Sequence, residues 1–218
     1  MKYWKYIILF LIIFPIQLFS QDEEPTFYKV IKPKHTYAID FALPVCISNK
    51  AFKGIMQGFI RFSGSYHYSL KNNFYIGLGG SYTYFQINRF KTFPNISGGM
   101  HISNGYLKLG YEKYYSERIG IDFGVREGFS QLIFHSDSLA KPNTKLVNTI
   151  EPYFSFCLTG SHNTAYKWTL AYSFLGFGFN PQQVGDFVNE DFEKSEFSRI
   201  TQFLSFGFSF SHYFKQRD

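Results

Sequence analysis

A chain of 218 residues with 22 basic and 16 acidic side chains has a formal charge of +6, and its bases are scattered among Phe and Tyr with no run of Lys or Arg, which argues against a nucleic-acid partner. Its 28 Phe and 17 Tyr are more than a water-soluble domain of this size readily hides. After residue 20 no stretch approaches 18 uninterrupted apolar residues, which excludes transmembrane helices.

The N-terminus reads as an export signal. Lys2 and Lys5 give a positive start, Tyr6 to Phe14 form an apolar stretch, and Pro15 breaks it ahead of the small residue Ser20 and the polar run Gln21-Asp22-Glu23-Glu24. Nine apolar residues fall short of the roughly 20 that a helix needs to cross hydrocarbon. The expectation is a signal peptide over 1–20, cleaved after Ser20, which leaves a mature charge of +4. Gln rather than Cys at position 21 argues against a lipoprotein start. Residues 21–34 are then a short periplasmic segment.

From there the recurring signal is alternation with period two, the mark of strands with two unlike faces. Eight segments show it: 35–47, 55–70, 74–87, 101–115, 119–133, 147–160, 166–179 and 198–214. In the last, Leu204, Phe206, Phe208, Phe210 and Phe214 share one parity, and Ser205, Gly207, Ser209 and Ser211 the other. In the fifth, Ile119, Ile121, Phe123 and Val125 stand against Gly120, Asp122, Gly124 and Arg126. Tight turns are expected at Lys71-Asn72-Asn73, at Ser116-Glu117-Arg118 and around Ser161 to Ala165, with longer connections at 48–54, 88–100, 134–146 and 180–197. Short turns on one rim and long loops on the other is the plan of an outer-membrane barrel, with both termini in the periplasm. Tyr66, Tyr68, Tyr111, Tyr115, Tyr166, Trp168 and Tyr213 lie near the short-turn ends, where an aromatic girdle belongs.

These readings predict an all-β chain: an eight-stranded antiparallel up-and-down transmembrane β-barrel over 35–214, followed by a periplasmic tail over 215–218. A soluble eight-stranded cup of the lipocalin sort would carry the same alternation with its apolar face turned inward. The glycine-rich second face, the aromatic ends and the strand length favour the membrane version.

The inward parity collects Asp40, Arg61, Lys108, Glu112, Asp122, Arg126 and Glu151. Inside so narrow a barrel these charges should pair, because an isolated buried charge is very costly. Hairpin registry about 48–54 sets Asp40 beside Arg61 within one residue. Registry about 116–118 sets Glu112 opposite Asp122 and Lys108 opposite Arg126, so pairing there must run diagonally or across the lumen. The expectation is a plugged, poorly conducting interior, with a narrow transport channel lined by Arg61, Lys108, Asp122 and Arg126 as an alternative. Cys46 and Cys157 fall at opposite ends of non-adjacent strands and are expected to stay free. The long loops carry Arg89, Phe90, Phe93, Lys141, Pro142 and Pro181, and an acidic cluster from Asp186 to Glu196 suited to divalent ions at a lipopolysaccharide surface. Cys/His spacing for zinc and a phosphate-cradling glycine loop are both missing, so no metal centre and no cofactor are expected.

With the leader, the alternating segments and the ending Ser205-Phe206-Gly207-Phe208-Ser209-Phe210-Ser211-His212-Tyr213-Phe214 in view, the chain resembles outer-membrane β-barrels of Bacteroidota, of the OmpA and OmpX size class. The resemblance implies a porin-like Gram-negative outer-membrane protein, a monomer bathed in outer-membrane lipid and lipopolysaccharide. It also implies that the barrel assembly machinery reads the last strand, here ending at Phe214 and followed by Lys215-Gln216-Arg217-Asp218. Locally, His101-Ile102-Ser103-Asn104-Gly105 is similar to the His-x-Ser-Asn stretch of the lipid A deacylases, also eight-stranded barrels. That resemblance implies His101 as base and Ser103 as nucleophile, with a later Glu orienting the His. The family's Glu position is Tyr115 here; Glu127, on the same outward parity but about four residues short of Ser103, takes the third role only if a bulge shifts the register. The leading expectation is a filled barrel with a structural or surface-interaction role; a lipid A-modifying hydrolase is the other alternative.

Overall fold

Residues whose side chains alternate between bulky apolar and small or polar cannot bury both faces in one core, and here they form eight long strands that curl into a cylinder. The computed structural model describes residues 33–92, 95–161, 163–185 and 199–216. The expected leader, nearly all of the periplasmic segment, Phe93 and the acidic cluster from Asp186 to Glu196 lie outside the described residues. The strands are β1 (Pro33–Ser48), β2 (Met56–Ser69), β3 (Phe74–Ile87), β4 (Gly98–Tyr114), β5 (Ile119–Ser136), β6 (Asn143–Ser161), β7 (Thr164–Leu175) and β8 (Thr201–Gln216). Each pairs antiparallel with the next, and β8 returns to β1, so the barrel is closed. The first strand begins two residues before the expected start, and the last runs two residues past Phe214 into the expected tail.

The direction of the two faces is the decisive point. Ile39, Phe41, Leu43 and Val45 on β1, Leu78 on β3, Leu107 and Leu109 on β4, and Phe206, Phe208 and Phe210 on β8 all point outward and are exposed, while the Ser and charged parity is buried. Soluble monomers rarely expose contiguous apolar patches beyond a few hundred Å². A closed sheet with an apolar belt and every strand paired is the form that hydrocarbon accepts. The lipocalin-like alternative has the opposite polarity.

The short β2–β3 connection is a turn at Lys71–Asn73 in which Asn72 and Asn73 take φ of 60° and 66°, a left-handed region that Asn tolerates better than most residues. The opposite rim is closed by its loops. Helix α1 (Lys50–Ile55) starts at Asn49, whose side-chain oxygen accepts from the Phe52 amide at 3.1 Å. It delivers Phe52 and Ile55 into the barrel mouth. There they meet Phe85, Met100, Leu132, Phe134 and Phe203 from the strands, and Ile96, Phe179 and Val184 from the loops. This apolar stopper is a departure from the uniformly polar interior that the alternation suggested.

The stopper also explains the shorter β7. Alternation continues through Phe177 and Phe179, but the strand ends at Leu175, because Phe179 is recruited into the mouth and the Gly176 amide donates to the Asn148 carbonyl at 2.9 Å. A second correction concerns Tyr213. It is not in the outer girdle; it has the inward parity of Ser211 and is 1% exposed, packed with Tyr114, Cys157 and Ala165. Tyr115, Tyr166 and Trp168 do face outward and are exposed near the short turns.

Candidate functional site

Below the stopper the lumen is a two-storey ionic lattice. In the storey nearer the loops, Arg61 grips Glu151 with two nitrogens, Nη1 to Oε2 at 2.5 Å and Nη2 to Oε1 at 2.8 Å. Arg126 bridges the carboxylates, Nη1 to Glu151 Oε1 at 3.0 Å and Nη2 to Asp40 Oδ2 at 3.1 Å. Ser63 donates to Asp40 at 2.5 Å, Ser209 donates to Asp40, and Ser173 donates to Glu151. Two-pronged guanidinium contacts are the geometry that best compensates a buried carboxylate.

In the storey nearer the short turns, Lys167 is the hub. Its Nζ lies 2.7 Å from Glu112 Oε1 and 2.9 Å from Asp122 Oδ2. Lys108 Nζ stands 3.7 Å from Asp122, and His67 Nε2 stands 3.3 Å from Glu112. Tyr75 donates to Asp122 at 2.5 Å and Tyr153 at 3.2 Å, while Tyr114 donates to Glu112 at 3.2 Å and shares a hydroxyl contact with Tyr213. The cations sit on ring faces as well: Lys108 is 4.9 Å from the Tyr75 and Tyr153 centroids, and Arg126 is 4.7 Å from that of Tyr153.

The structure brings Asp40, Arg61, Lys108, Glu112, Asp122, Arg126 and Glu151 into this one lattice and adds Lys167 as its fourth strong base. Among the described residues four carboxylates then face four cations, a balance that is neutral without the imidazole. Register accounts for the pairing. Glu112 faces Asp122 and Lys108 faces Arg126 across β4–β5, like against like, so the attractive contacts run diagonally and across the lumen. The expected neighbourhood of Asp40 and Arg61 is corrected: Asp40 pairs with Ser63, and Arg61 with Ala42. The β1–β2 connection, which contains α1, sets this register and keeps both Asp40 and Ser63 on the inward face. Asp40 therefore takes its cation from Arg126 instead.

Inward glycines make the lattice possible. Cross-strand partners Gly79 and Tyr106, Gly110 and Tyr75, Gly120 and Tyr114, and Gly124 and Tyr153 each set a ring over a position with no side chain. A Cβ at Gly79 would stand 2.7 Å from the Tyr106 hydroxyl, and one at Gly120 would stand 2.7 Å from the Tyr114 ring. Four of the lumen tyrosines fit because four glycines vacate the positions across from them.

On the outer face, Ser103 is exposed and His101 is half-buried, both with lipid-facing parity. The Tyr82 hydroxyl hydrogen-bonds His101 Nδ1 at 2.5 Å, and the His101 ring stacks on His135 at 4.7 Å between centroids. The β4–β5 ladder runs without a shift from Gly98↔Ser136 to Tyr114↔Gly120, pairing Ser103 with Gln131 and Glu127 with Leu107. Glu127 is thus four positions, or roughly 13 Å, from Ser103's row. The bulge that the third catalytic role required is not there, and the three residues are not brought together.

No protein-family model matches the sequence, and no curated protein matches it. Among solved structures, Neisserial surface protein A is similar at a TM-score of 0.57 and 11% identity, over 83% of this chain and 97% of that one. OprG of Pseudomonas aeruginosa follows at a TM-score of 0.47 and 8% identity, over 85% and 98%. Ail of Yersinia pestis, solved with a heparin analogue, stands at 0.47 and 9%, over 84% and 99%. The fold is that of an eight-stranded outer-membrane barrel. At these identities the likeness speaks for the fold alone, and the neisserial structure carries it.

Sequence reasoning missed Lys167 and the lumen tyrosines, although the signal was present. Tyr166, Trp168 and Leu170 set the outward parity of β7, which leaves Lys167 inward; Phe74, Ile76 and Leu78 do the same for Tyr75. Of the lumen tyrosines, Tyr213 alone was assigned to the interface, by residue type instead of by parity.

Proposed function

We propose that this chain is an outer-membrane barrel of a Gram-negative bacterium, in keeping with the resemblance to Bacteroidota barrels, whose work is done at its surfaces and not through its lumen. The observation that supports this most directly is an ionic lattice of four acids and four bases, each in an ion pair, beneath an apolar stopper, inside a cylinder whose outside is a belt of Phe, Leu and Ile. An interior packed this way offers little room for water or solute. On this reading the leader is removed after Ser20, both termini and the short turns are periplasmic, and the long loops face outward. The barrel is a monomer, inserted by the assembly machinery through its aromatic last strand and surrounded by lipid and lipopolysaccharide.

The channel alternative fits poorly with charges that compensate one another, since a conducting row needs unpaired groups and water. The hydrolase alternative fits poorly with a Glu127 held at Leu107. The test is expression with the leader in a Gram-negative host, followed by membrane fractionation and heat-modifiable migration on a detergent gel. Planar bilayers then receive the purified barrel. The expected result is an outer-membrane band whose mobility shifts on boiling, with no steady current of large-porin size. A soluble periplasmic product, or such a current, overturns the reading.

A further inference from the structure

The apolar belt is interrupted on one side. Outward positions Gly64, Gly80 and Gly105 are cross-strand partners on β2, β3 and β4, a row without side chains in a belt otherwise built of large ones. A Cβ at Gly64 or Gly105 would meet nothing within 4 Å. Beside Gly105 lies a groove of about 610 Å³ running over β4 and β5. Its lower part is walled by Ile76, Leu109 and Val125; its upper part by Leu107, Phe129, Asn148 and the carboxylate-bearing Glu127. The acid stands on the lipid-facing parity among Val125, Phe129, Leu107 and Ile150, and among the described residues it has neither a hydrogen bond nor an ion pair.

Depth gives the groove a direction. Ile119, next to the short turn, and Glu127 are eight residues apart on β5. That is about 27 Å along the strand and, with a strand tilt near 40°, about 20 Å along the membrane normal, within an apolar band about 25 Å tall. Glu127 and Asn148 therefore stand close to the headgroup level of the loop-side leaflet, and the apolar walls continue below them toward the midplane. A carboxylate at that level costs little by itself, but its charge stands open to the cationic part of a neighbouring head group. The molecules that bathe this face are lipids (lipopolysaccharide and any phospholipid that reaches the loop-side leaflet), and the one that suits the groove, from either source, places an acyl chain between Leu109, Val125 and Ile76 and an amine-bearing head against Glu127.

We propose that this groove is a binding site for a bilayer lipid whose head carries a primary ammonium, paired with the Glu127 carboxylate and assisted by the Asn148 amide. The site rests on the membrane reading above and sharpens it by naming a lipid class. An anionic head would be repelled by Glu127, and a quaternary ammonium offers no N–H to donate.

The experiment uses the purified barrel in nanodiscs of equal parts phosphatidylethanolamine, phosphatidylcholine and phosphatidylglycerol, released gently and weighed by native mass spectrometry with its retained lipids. The expected result is retention of phosphatidylethanolamine over phosphatidylcholine by about fivefold to tenfold, in line with one net hydrogen-bonded contact at a part-exposed site. Glu127→Gln should bring the ratio close to one. Gly105→Leu, which fills open space, should abolish retention while the barrel keeps its heat-modifiable band. Equal retention by the native barrel, preference for phosphatidylglycerol, or an undiminished ratio in folded Glu127→Gln overturns the site and leaves the membrane reading standing. A chain that enters no nanodisc overturns that reading, and the site with it.

Discussion

Replacing Lys167 by Met removes one charge from the middle of the lattice while keeping most of the side-chain volume. The lysine makes two contacts near 2.8 Å, to Glu112 and Asp122. At an effective dielectric of about 20, each such contact is about 6 kcal/mol of attraction. Most of that is offset by the desolvation of the three ions, several kcal/mol apiece, so the native pair of contacts is close to neutral against an apolar lumen. The variant loses the attraction but keeps both acids buried and facing each other across β4–β5. Breaking a buried ion pair from one side costs about 3–5 kcal/mol, and that is the expected loss. Urea titration of the barrel in detergent, followed by Trp168 fluorescence and by loss of the heat-modifiable band, measures it. A second variant, Lys167→Met with Glu112→Gln, restores three acids against three bases and should recover at least half of the loss. A change below about 1 kcal/mol in the single variant would mean that water reaches these carboxylates, and the packed lumen would have to be abandoned.

The other predictions use different parts of the barrel. Gly110→Ala pushes a methyl against the Tyr75 hydroxyl and the Phe123 carbonyl, and should cost about 1–3 kcal/mol in the same titration, part of it recovered when Tyr75 is also changed to Phe. Cys46, paired across to Phe203 near the loop rim, and Cys157, paired to Gly120 near the short turns, should both stay free. Maleimide mass labelling should reach them only after unfolding, and a Cys46–Cys157 bridge in a non-reducing map would contradict the topology. Ser103→Ala should leave acyl release from lipid A at the background of the native barrel; a drop on substitution would revive the hydrolase reading.

The barrel itself was legible because period-two alternation is a direct record of two solvents. Phe206, Phe208 and Phe210 against Ser205, Ser209 and Ser211 separate two faces with no knowledge of partners, and the glycine-rich second face, the aromatic ends and the strand length were what pointed the apolar one outward. The tight turn at Ser116-Glu117-Arg118 and the absence of inserted residues in β4–β5 made that hairpin's register readable to the residue, which is why Glu112 against Asp122 could be placed from spacing. The β1–β2 hairpin was not readable in the same way, because its connection folds into a helix and the register follows from α1's packing in the mouth. The stopper was hidden for a related reason. Phe52, Ile96 and Phe179 belong to connections, where alternation carries no information, and only the closed cylinder reveals that their common destination is its open end.

The lattice and the belt constrain each other. A lumen this narrow must be filled, and filling it with four acids and four bases holds only if the cylinder stays round, because several ion pairs join strands that are not neighbours: Asp40 on β1 to Arg126 on β5, Arg61 on β2 to Glu151 on β6, Lys167 on β7 to Glu112 on β4. These are cross-braces over the diameter. With the interior fixed in this way, outward positions are relieved of packing duty toward the lumen, and a glycine row can be carried on the belt without loss of shape. A groove at Gly64, Gly80 and Gly105 in a barrel without internal bracing would be an invitation to collapse; here its floor is held from behind by Arg126, whose guanidinium lies 5.4 Å from the Tyr106 ring. Weakening the braces should therefore loosen the groove as well. Lys167→Met, distant from Glu127 and on the opposite face of the sheet, is expected to lower lipid retention modestly, whereas Glu127→Gln should leave the unfolding midpoint unchanged. The reverse dependence would show that the lipid supports the lattice instead of resting on it.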